Sequence, residues 1–183
     1  TQAKRQPGSA FKLFVYLSAL EAGLDPQSTM RDSPIRFDGW APRNHWGSFS
    51  NENITLEDAL ARSYNSIAVK VSERVGRNKV IQMAKRLGIE SQIVPHPSVA
   101  LGTSELSLVE LTRAYAVLAN GGRSVQHDAI VQINGQKLYP DNDVEQLLHP
   151  DNVQTMSEML EKVIAEGTGK QANPDRPAAG KTG

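Results

Sequence analysis

Apolar side chains recur at helical spacing through the first part of this chain. A first helix is predicted to begin at Pro7-Gly8-Ser9 and to stop near Gly23, because apolar residues between them lie three and four positions apart. Its apolar face begins with Phe11, Phe14, Val15 and Tyr16. We expect this face to be the side of the helix that packs on the rest of the domain.

Four more helices follow the same spacing. Thr55 with Asp58, and Ser107 with Glu110, are the polar pairs typical of capping boxes at helix starts. The four predicted helices are Thr55 through Leu60, Asn65 to Val75, a helix that Asn78 caps and Gly88 ends, and one from Ser107 to Asn120.

The pattern changes after residue 128. Ala129 to Ile133, the dipeptide Asn134-Gly135, and Lys137 to Tyr139 predict a β-hairpin with a two-residue turn. A last helix is predicted from about Asp151 to Ala165, and Gly167-Thr168-Gly169 ends it. The order of elements indicates an α+β fold, in which a helical lobe precedes the beginning of a mixed part.

A long polar segment separates the first two helices. Asp25 to Asn53 is rich in Pro, Gly, Asn, Ser and Trp, which predicts a loop with little regular structure. Loops of this length in compact domains usually carry function or cover a site.

Composition narrows the function classes. The chain has 183 residues and a formal net charge of +0, so it lacks the basic balance that nucleic-acid binding normally needs. No apolar run approaches the ~20 residues of a membrane span. There is no cysteine, and the four histidines are far apart and have no metal-ligand spacing, so we expect no metal site.

The two chain ends indicate a piece of a longer protein. The chain begins Thr1-Gln2-Ala3-Lys4, and it stops at Gly180-Lys181-Thr182-Gly183, just after a run that predicts the start of a strand. We expect the full domain to continue beyond both ends.

Three short motifs carry candidate chemistry. Ser9-Ala10-Phe11-Lys12 is S-x-x-K, Ser63-Tyr64-Asn65 is S-x-N, and Lys181-Thr182-Gly183 is K-T-G. Each has a plain structural explanation when it is taken alone: a helix cap, a solvated lysine or a polar strand start. Their occurrence together, in this order, favours a shared catalytic role.

The first motif has the parts of an activated nucleophile. A serine hydroxyl needs a base, and Ser9 and Lys12 at i and i+3 lie on one helix face, close enough for proton transfer. The positive end of the helix dipole disfavours a charged Lys12, and free backbone N–H groups there can stabilise an oxyanion.

The other two motifs offer groups that can bind a substrate. Ser63 and Asn65 lie in a loop between two helices, where both can face a cleft. Lys181 and Thr182 offer a cation and a hydroxyl to a substrate carboxylate.

With these motifs the chain resembles the transpeptidase domain of class A penicillin-binding proteins, the bifunctional peptidoglycan synthases. The resemblance extends over essentially the whole chain. Its further segments are Arg5 to Lys12, Trp40-Ala41-Pro42-Arg43-Asn44 with Gly47-Ser48-Phe49, Ile54 to Asn65, Ala100-Leu101-Gly102-Thr103-Ser104-Glu105, Tyr115-Ala116 with Asn120-Gly121-Gly122, Gly167-Thr168-Gly169, and Ala179 to Gly183.

The resemblance implies a serine D,D-transpeptidase. Ser9 would attack a stem peptide ending in D-Ala-D-Ala, Lys12 would be the base, and Ser63 would relay the proton to the leaving amine. Asn65 would bind the peptide backbone, and Lys181, Thr182 and Gly183 would hold the terminal carboxylate. Donor and acceptor stem peptides and β-lactam antibiotics would be the partners, with no nucleic acid and no cofactor.

The resemblance also implies a fold and a location. The fold would be β-lactamase/transpeptidase-like, with a helical lobe and an incomplete central antiparallel sheet. The parent protein would work at the outer face of the bacterial cytoplasmic membrane, held there by an N-terminal anchor and preceded by a glycosyltransferase domain. Residues 1–183 alone would be inactive or nearly so, because the remaining strands and one oxyanion N–H lie beyond Gly183.

Three alternatives remain open at this point. A serine β-lactamase would need an efficient deacylating group, and the chain has no E-x-x-L-N run. A non-catalytic β-lactam-binding sensor would keep Ser9 and Lys12, but the segments around Trp40 and Leu101 favour the synthase. A structural domain with accidental motifs is the third.

Overall fold

A computed structural model describes residues 3–125, 132–134, 136–137 and 144–183 of the chain. Six helices form most of the core of this described part, and short strands lie between some of them. In order, they are β1 (Lys4–Arg5), α1 (Lys12–Glu21), β2 (Thr29–Arg31), β3 (Asn53–Thr55), α2 (Leu56–Ala61), α3 (Asn65–Val75), α4 (Arg77–Arg86), β4 (Leu106–Ser107), α5 (Leu108–Ala119), β5 (Gln132–Ile133), β6 (Gln136–Lys137) and α6 (Pro150–Ala165), with 3₁₀ turns at Gly8–Phe11, Pro97–Leu101 and Lys170–Ala172.

Helix α1 is the centre of the helical lobe. Helices α3, α4 and α6 and the Pro97–Leu101 turn all pack on it. The expectation of a single apolar face is wrong, because every residue from Lys12 to Ala19 is buried. A helix segment that is enclosed on all sides needs apolar residues all round, yet the charged residue Lys12 lies in it and is 0% exposed.

The helix bounds largely follow the sequence signals. The prediction for α3 is confirmed at both ends, and Ser107 and Glu110 form the expected capping box of α5. Helix α4 begins at Arg77 rather than after Asn78, because the chain turns at Gly76, whose φ is +98°. His149 caps α6, so that helix starts at Pro150.

The strands form three separate two-stranded antiparallel sheets among the described residues, with pairs β1–β4, β2–β3 and β5–β6. The β2–β3 pair closes the ends of the segment that the sequence predicts to be irregular. The β5–β6 pair confirms that the chain pairs back on itself here. Gly135 of the predicted turn and the outer parts of the predicted strands, at 129–131 and 138–139, lie outside the described residues. Lys181–Gly183 was expected to begin a strand, but no described segment pairs with it.

A carboxylate clamp joins α4 to α5. The carboxylate of Glu110 accepts hydrogen bonds from the backbone N–H groups of Glu90, Ser91 and Ser107, at 2.9, 2.6 and 2.8 Å, and from Ser91 Oγ at 2.8 Å. Burial alone would raise the pKa of Glu110, but the hydrogen bonds from Ser107 and Ser91 outweigh it and lower the pKa to about 2.

The described ranges contain neither a membrane-spanning helix nor a metal-binding cluster. No helix in them is both long and apolar enough to cross a bilayer. No group of three or more histidine or carboxylate side chains in them is arranged to hold a metal ion.

Candidate active site

The hydroxyl of Ser63 lies where the three sequence motifs meet. Its Oγ is 3.0 Å from Ser9 Oγ, 3.1 Å from Lys12 Nζ and 3.1 Å from Lys181 Nζ. Ser63 and Lys181 are 118 positions apart in the chain, so the fold and not local structure brings them together. One nucleophile candidate, two amines and a shared hydroxyl thus form a single cluster.

Ser9 is held in a tight turn at the start of the central helix. It lies within the Gly8–Phe11 3₁₀ turn, which runs directly into α1. The Tyr115 hydroxyl of α5 donates a 2.9 Å hydrogen bond to the carbonyl of Ala10 in the same turn. The residue after the second 3₁₀ turn, Gly102, accepts a 3.4 Å hydrogen bond from the N–H of Gly8.

Gly102 allows this approach because it has no side chain. Its φ is +67°, and a Cβ at this position would lie 2.3 Å from the carbonyl oxygen of Gly8 and 2.9 Å from Cβ of Phe11. Both values are far inside van der Waals contact. The backbone around Ser9 therefore depends on a glycine 93 positions later in the chain.

The amine of Lys12 has three oxygen neighbours. The carbonyl oxygen of Ser63 lies at 2.8 Å, Asn65 Oδ1 at 2.7 Å and Ser63 Oγ at 3.1 Å. The first two oxygens can only accept hydrogen bonds, so they take both hydrogens of an uncharged amine. The lone pair of that amine then points at the Ser63 hydroxyl, which is the group between Lys12 and Ser9.

Burial favours this uncharged form. Desolvation lowers the pKa of Lys12 well below its ordinary value of 10.5, and the nearby positive charge of Lys181 lowers it further. Among the described residues no carboxylate pairs with Lys12.

Ser63 has an unusual backbone conformation. Its φ is +62°, in the left-handed region that serine rarely adopts. The turn at this residue presents both the carbonyl oxygen and the hydroxyl of Ser63 to the same amine. Strain of this kind costs about 1–3 kcal/mol and is typical of functional sites.

Lys181 completes the cluster from the end of the chain. Besides Ser63 Oγ, its Nζ donates to the carbonyl oxygen and to Oγ1 of Thr182, at 3.0 and 3.2 Å. Burial lowers the pKa of Lys181 to about 8. Thr182 Oγ1 lies 2.7 Å from Thr168 Oγ1, and Gly183 packs beside Pro7 and Gly8. K-T-G therefore lines the Ser9 turn without being part of a strand.

The amide of Asn65 is already engaged. Its Oδ1 accepts from Lys12, and its Nδ2 donates to the carbonyl of Arg43 at 2.9 Å. Asn65 was expected to bind the peptide backbone of a substrate. In this structure its Oδ1 holds the amine of Lys12.

The structure brings all the predicted site residues together, but with one change of geometry. Ser9 and Lys12 were expected to contact each other on one helix face, and no direct hydrogen bond joins them. Instead, Ser63 Oγ lies within hydrogen-bonding distance of both side chains. This arrangement can pass a proton from Ser9 through Ser63 to an uncharged Lys12.

Sequence reasoning missed Asn44 and Asp32. Asn44 Oδ1 accepts from the backbone N–H groups of Asn65 and Ser66, and Asn44 Nδ2 donates to Asp32 Oδ1. Asn44 lies in the quoted segment around Trp40, but Asp32 carries no motif. Only its burial and its partners identify it.

The comparisons agree on one family. A family model described as the penicillin-binding protein transpeptidase domain matches residues 1–183. The chain is similar to penicillin-binding protein 1A of Rickettsia conorii, with 40% identity over 154 residues, covering 79% of this chain and 19% of that protein. Penicillin-binding protein 1A of Aquifex aeolicus is 37% identical over 193 aligned positions, covering 100% of this chain and 26% of that protein. The chain thus spans a fifth to a quarter of the length of these relatives.

Solved structures show the same architecture. Penicillin-binding protein 1A from Haemophilus influenzae superimposes with a TM-score of 0.82 at 25% identity, over 93% of this chain and 32% of that one. PonA1 from Mycobacterium tuberculosis, solved in complex with penicillin V, gives a TM-score of 0.78 at 23% identity, over 90% of this chain and 48% of that one. The fold is the β-lactamase/transpeptidase-like α+β fold.

Gly102 provides a test of how the Ser9 turn is held. Gly102→Ala should lower the free energy of unfolding by about 3 kcal/mol or more, because a left-handed conformation and a clash with Gly8 add together. Gly121 is the matched control, since its φ is +68° and a Cβ there would meet nothing within 4 Å. Gly121→Ala should cost only about 1 kcal/mol. Equal losses in chemical denaturation would show that the Gly8–Gly102 approach is not tight.

Proposed function

Because this chain belongs to the penicillin-binding protein transpeptidase family, we propose that it carries the catalytic centre of a serine D,D-transpeptidase that cross-links peptidoglycan. One observation supports this most directly. Ser63 Oγ lies within 3.1 Å of Ser9 Oγ, Lys12 Nζ and Lys181 Nζ. Ser9 and Lys12 are the nucleophile and base positions of S-x-x-K, and Lys181 is the cation of K-T-G. A nucleophile, a base and a cation around one shared hydroxyl suit acyl transfer to serine.

Acylation begins with Ser9. Its Oγ attacks the carbonyl carbon of the penultimate D-Ala of a donor stem peptide, forming the ester bond. The hydroxyl proton of Ser9 passes to Ser63 as the proton of Ser63 passes to uncharged Lys12. When the peptide C–N bond breaks, Ser63 gives a proton to the leaving D-Ala amine and takes one back from Lys12. The acyl-enzyme then carries the donor on Ser9, and Lys12 is again uncharged.

Transfer reverses these proton movements. An amine of the acceptor stem peptide attacks the ester carbonyl, and its proton passes through Ser63. The C–O bond to Ser9 breaks, the new amide bond is complete, and Ser9 regains its proton. All the proton steps use Ser63 and Lys12, so the reaction as proposed needs no cofactor.

Binding uses the remaining motif residues. Lys181 and Thr182 hold the terminal carboxylate of the donor, because a cation and a hydroxyl lie side by side there. Within the described residues the backbone N–H of Ser9 has no acceptor, which leaves it free to donate to the oxyanion. Asn65 and Gly183 complete the substrate-binding set.

β-Lactams fit the same site as mimics of the donor. They would acylate Ser9 and hydrolyse slowly, since the lactam product keeps its leaving amine attached.

We place the parent protein at the outer face of the bacterial cytoplasmic membrane, where its peptidoglycan substrates are found, with an N-terminal anchor and a glycosyltransferase domain ahead of this one.

The first test of this function is the site and lifetime of the acyl adduct. The full-length protein is incubated with a fluorescent penicillin, and the labelled peptide is identified by mass spectrometry. We expect a lasting adduct on the peptide that contains Ser9, and cross-linking of a D-Ala-D-Ala peptide to an amine acceptor. Rapid loss of label would indicate a β-lactamase, label without peptide turnover would indicate a sensor, and an adduct on Ser63 or no adduct would overturn the assignment.

The second test removes the base. Lys12→Met keeps an unbranched buried chain but has no amine, so acylation should fall by about 10³-fold or more while the protein stays folded. Lys162→Met is the control, because Lys162 is a partly exposed lysine that pairs with Glu57 and Asp58, at 2.7 and 2.9 Å. We expect that variant to acylate at the parent rate. Near-parent acylation by Lys12→Met would remove Lys12 from the role of base.

A further inference from the structure

A buried carboxylate lies behind the active site, in the segment that joins β2 to β3. Asp32 is 0% exposed, yet no lysine or arginine forms a salt bridge with it among the described residues. Its Oδ1 accepts from Asn44 Nδ2 at 2.9 Å and from Ser66 Oγ at 2.5 Å, and its Oδ2 accepts from the N–H of Ser50 at 2.7 Å. All three neighbours are donors, so the site is built for an acceptor-only, ionised carboxylate.

Asp32 determines which way the amide of Asn44 faces. Because Nδ2 of Asn44 donates to Asp32 and to the carbonyl of Ser48 at 3.1 Å, its Oδ1 must face the opposite direction. There it accepts from the backbone N–H groups of Asn65 and Ser66, at 3.0 and 3.3 Å. These are the first two residues of α3, and the residue before them, Tyr64, provides no side-chain cap. Asn44 therefore caps α3 from a separate segment of the chain.

The capped end of α3 carries the group that orients the base. Asn65 Nδ2 donates to the carbonyl of Arg43, the neighbour of Asn44, so Asn65 Oδ1 must face Lys12 Nζ. The same turn places the carbonyl oxygen of Ser63 on Lys12. Two fixed acceptors thus direct the lone pair of Lys12 at Ser63, and both depend on where α3 begins.

We propose that Asp32 and Asn44 are positioning residues of the proposed acyl transfer, acting through Asn65 on the amine of Lys12. Neither touches the reacting atoms. The pattern of donors and acceptors around them fixes the orientation of the Asn44 amide and then of the Asn65 amide. The Asn65 amide in turn holds the amine of Lys12. The inference rests on the proposed function for its kinetic test, but its structural consequence can be measured without any activity.

Asp32→Asn tests the relay. The variant replaces one acceptor oxygen with an NH₂ group. That group faces either the Asn44 and Ser66 donors or the N–H of Ser50, so the acceptor that holds Asn44 is lost in one orientation and strained by the Ser50 contact in the other. We expect the maximal acylation rate constant, at saturating fluorescent penicillin, to fall about tenfold to a hundredfold, because small misplacement of a base has effects of that size. The final labelled fraction of folded protein should stay near that of the parent.

Glu110→Gln is the matched control. It also removes the charge of a carboxylate that has several hydrogen bonds, but the Glu110 clamp joins α4 to α5 and contacts no member of the cluster around Ser63. A purely structural loss lowers the amount of folded enzyme and leaves the rate constant of the remainder unchanged. We expect this behaviour from Glu110→Gln and not from Asp32→Asn.

Two further variants keep the test decisive if Asp32→Asn folds poorly. Asn44→Ala removes the cap and should slow acylation to a similar extent, while Asp32 keeps its bonds from Ser66 and Ser50. Exchanging the two residues, Asp32→Asn with Asn44→Asp, reverses the pair and puts a donor at 32 opposite an acceptor at 44. The exchanged pair should be faster than either Asp32→Asn or Asn44→Asp alone. Parent-like rate constants in Asp32→Asn or Asn44→Ala, or an exchanged pair no faster than its single variants, would overturn the proposal.

A crystal structure of Asp32→Asn gives an answer that does not depend on acylation. We expect the Asn65 amide or Lys12 Nζ to move out of hydrogen-bonding distance of one of its partners. An unchanged Lys12, Ser63 and Asn65 arrangement would overturn the relay, even if the parent protein proved not to be acylated at Ser9 and the proposed function failed.

Discussion

The amine of Lys12 lies inside a packed helical lobe, and no carboxylate of the described residues pairs with it. An ammonium ion there would lose its hydration without a counter-charge, and such a cost is several kcal/mol even after relaxation. The site avoids most of this cost if the amine is uncharged and all its hydrogen-bonding positions are used. The carbonyl of Ser63, the amide of Asn65 and the hydroxyl of Ser63 fill these positions. A buried amine that is neutral and oriented is also what a general base has to be.

Several costly features serve this arrangement. Ser63 adopts a left-handed backbone, and the Ser9 turn approaches Gly102 so closely that no side chain fits between them. The positive charge of Lys181 lies near Lys12 and lowers the pKa of Lys12 further. These features would destabilise an isolated segment. They persist because α1 is enclosed on every side by apolar residues of α3, α4 and α6, whose burial offsets the local strain.

Local signals predicted local structure well, and interactions between distant segments poorly. Capping residues and apolar spacing located α3 and α5, because both depend on neighbours within one or two turns. The enclosure of α1 could not be foreseen, since it depends on which helices surround it. The β2–β3 pair was missed because each strand has only three residues and 21 residues separate them. The three motifs identified every member of the cluster around Ser63. They did not show that the Ser63 hydroxyl lies within hydrogen-bonding distance of both Ser9 and Lys12. Asp32 was out of reach, because a lone aspartate in a polar loop has no pattern, and only tertiary contacts bury it.

The protonation state of Lys12 tests this account most directly. The side-chain nitrogen of Lys12 can be followed by NMR in full-length protein labelled at lysine, with its signal assigned by comparison with Lys12→Met. We expect its titration midpoint to lie well below the ordinary 10.5, so that the uncharged amine is present in the pH range where Ser9 is acylated. A midpoint at or above 10.5 would mean that Lys12 stays charged there, and would contradict the claim that burial prepares it as the base.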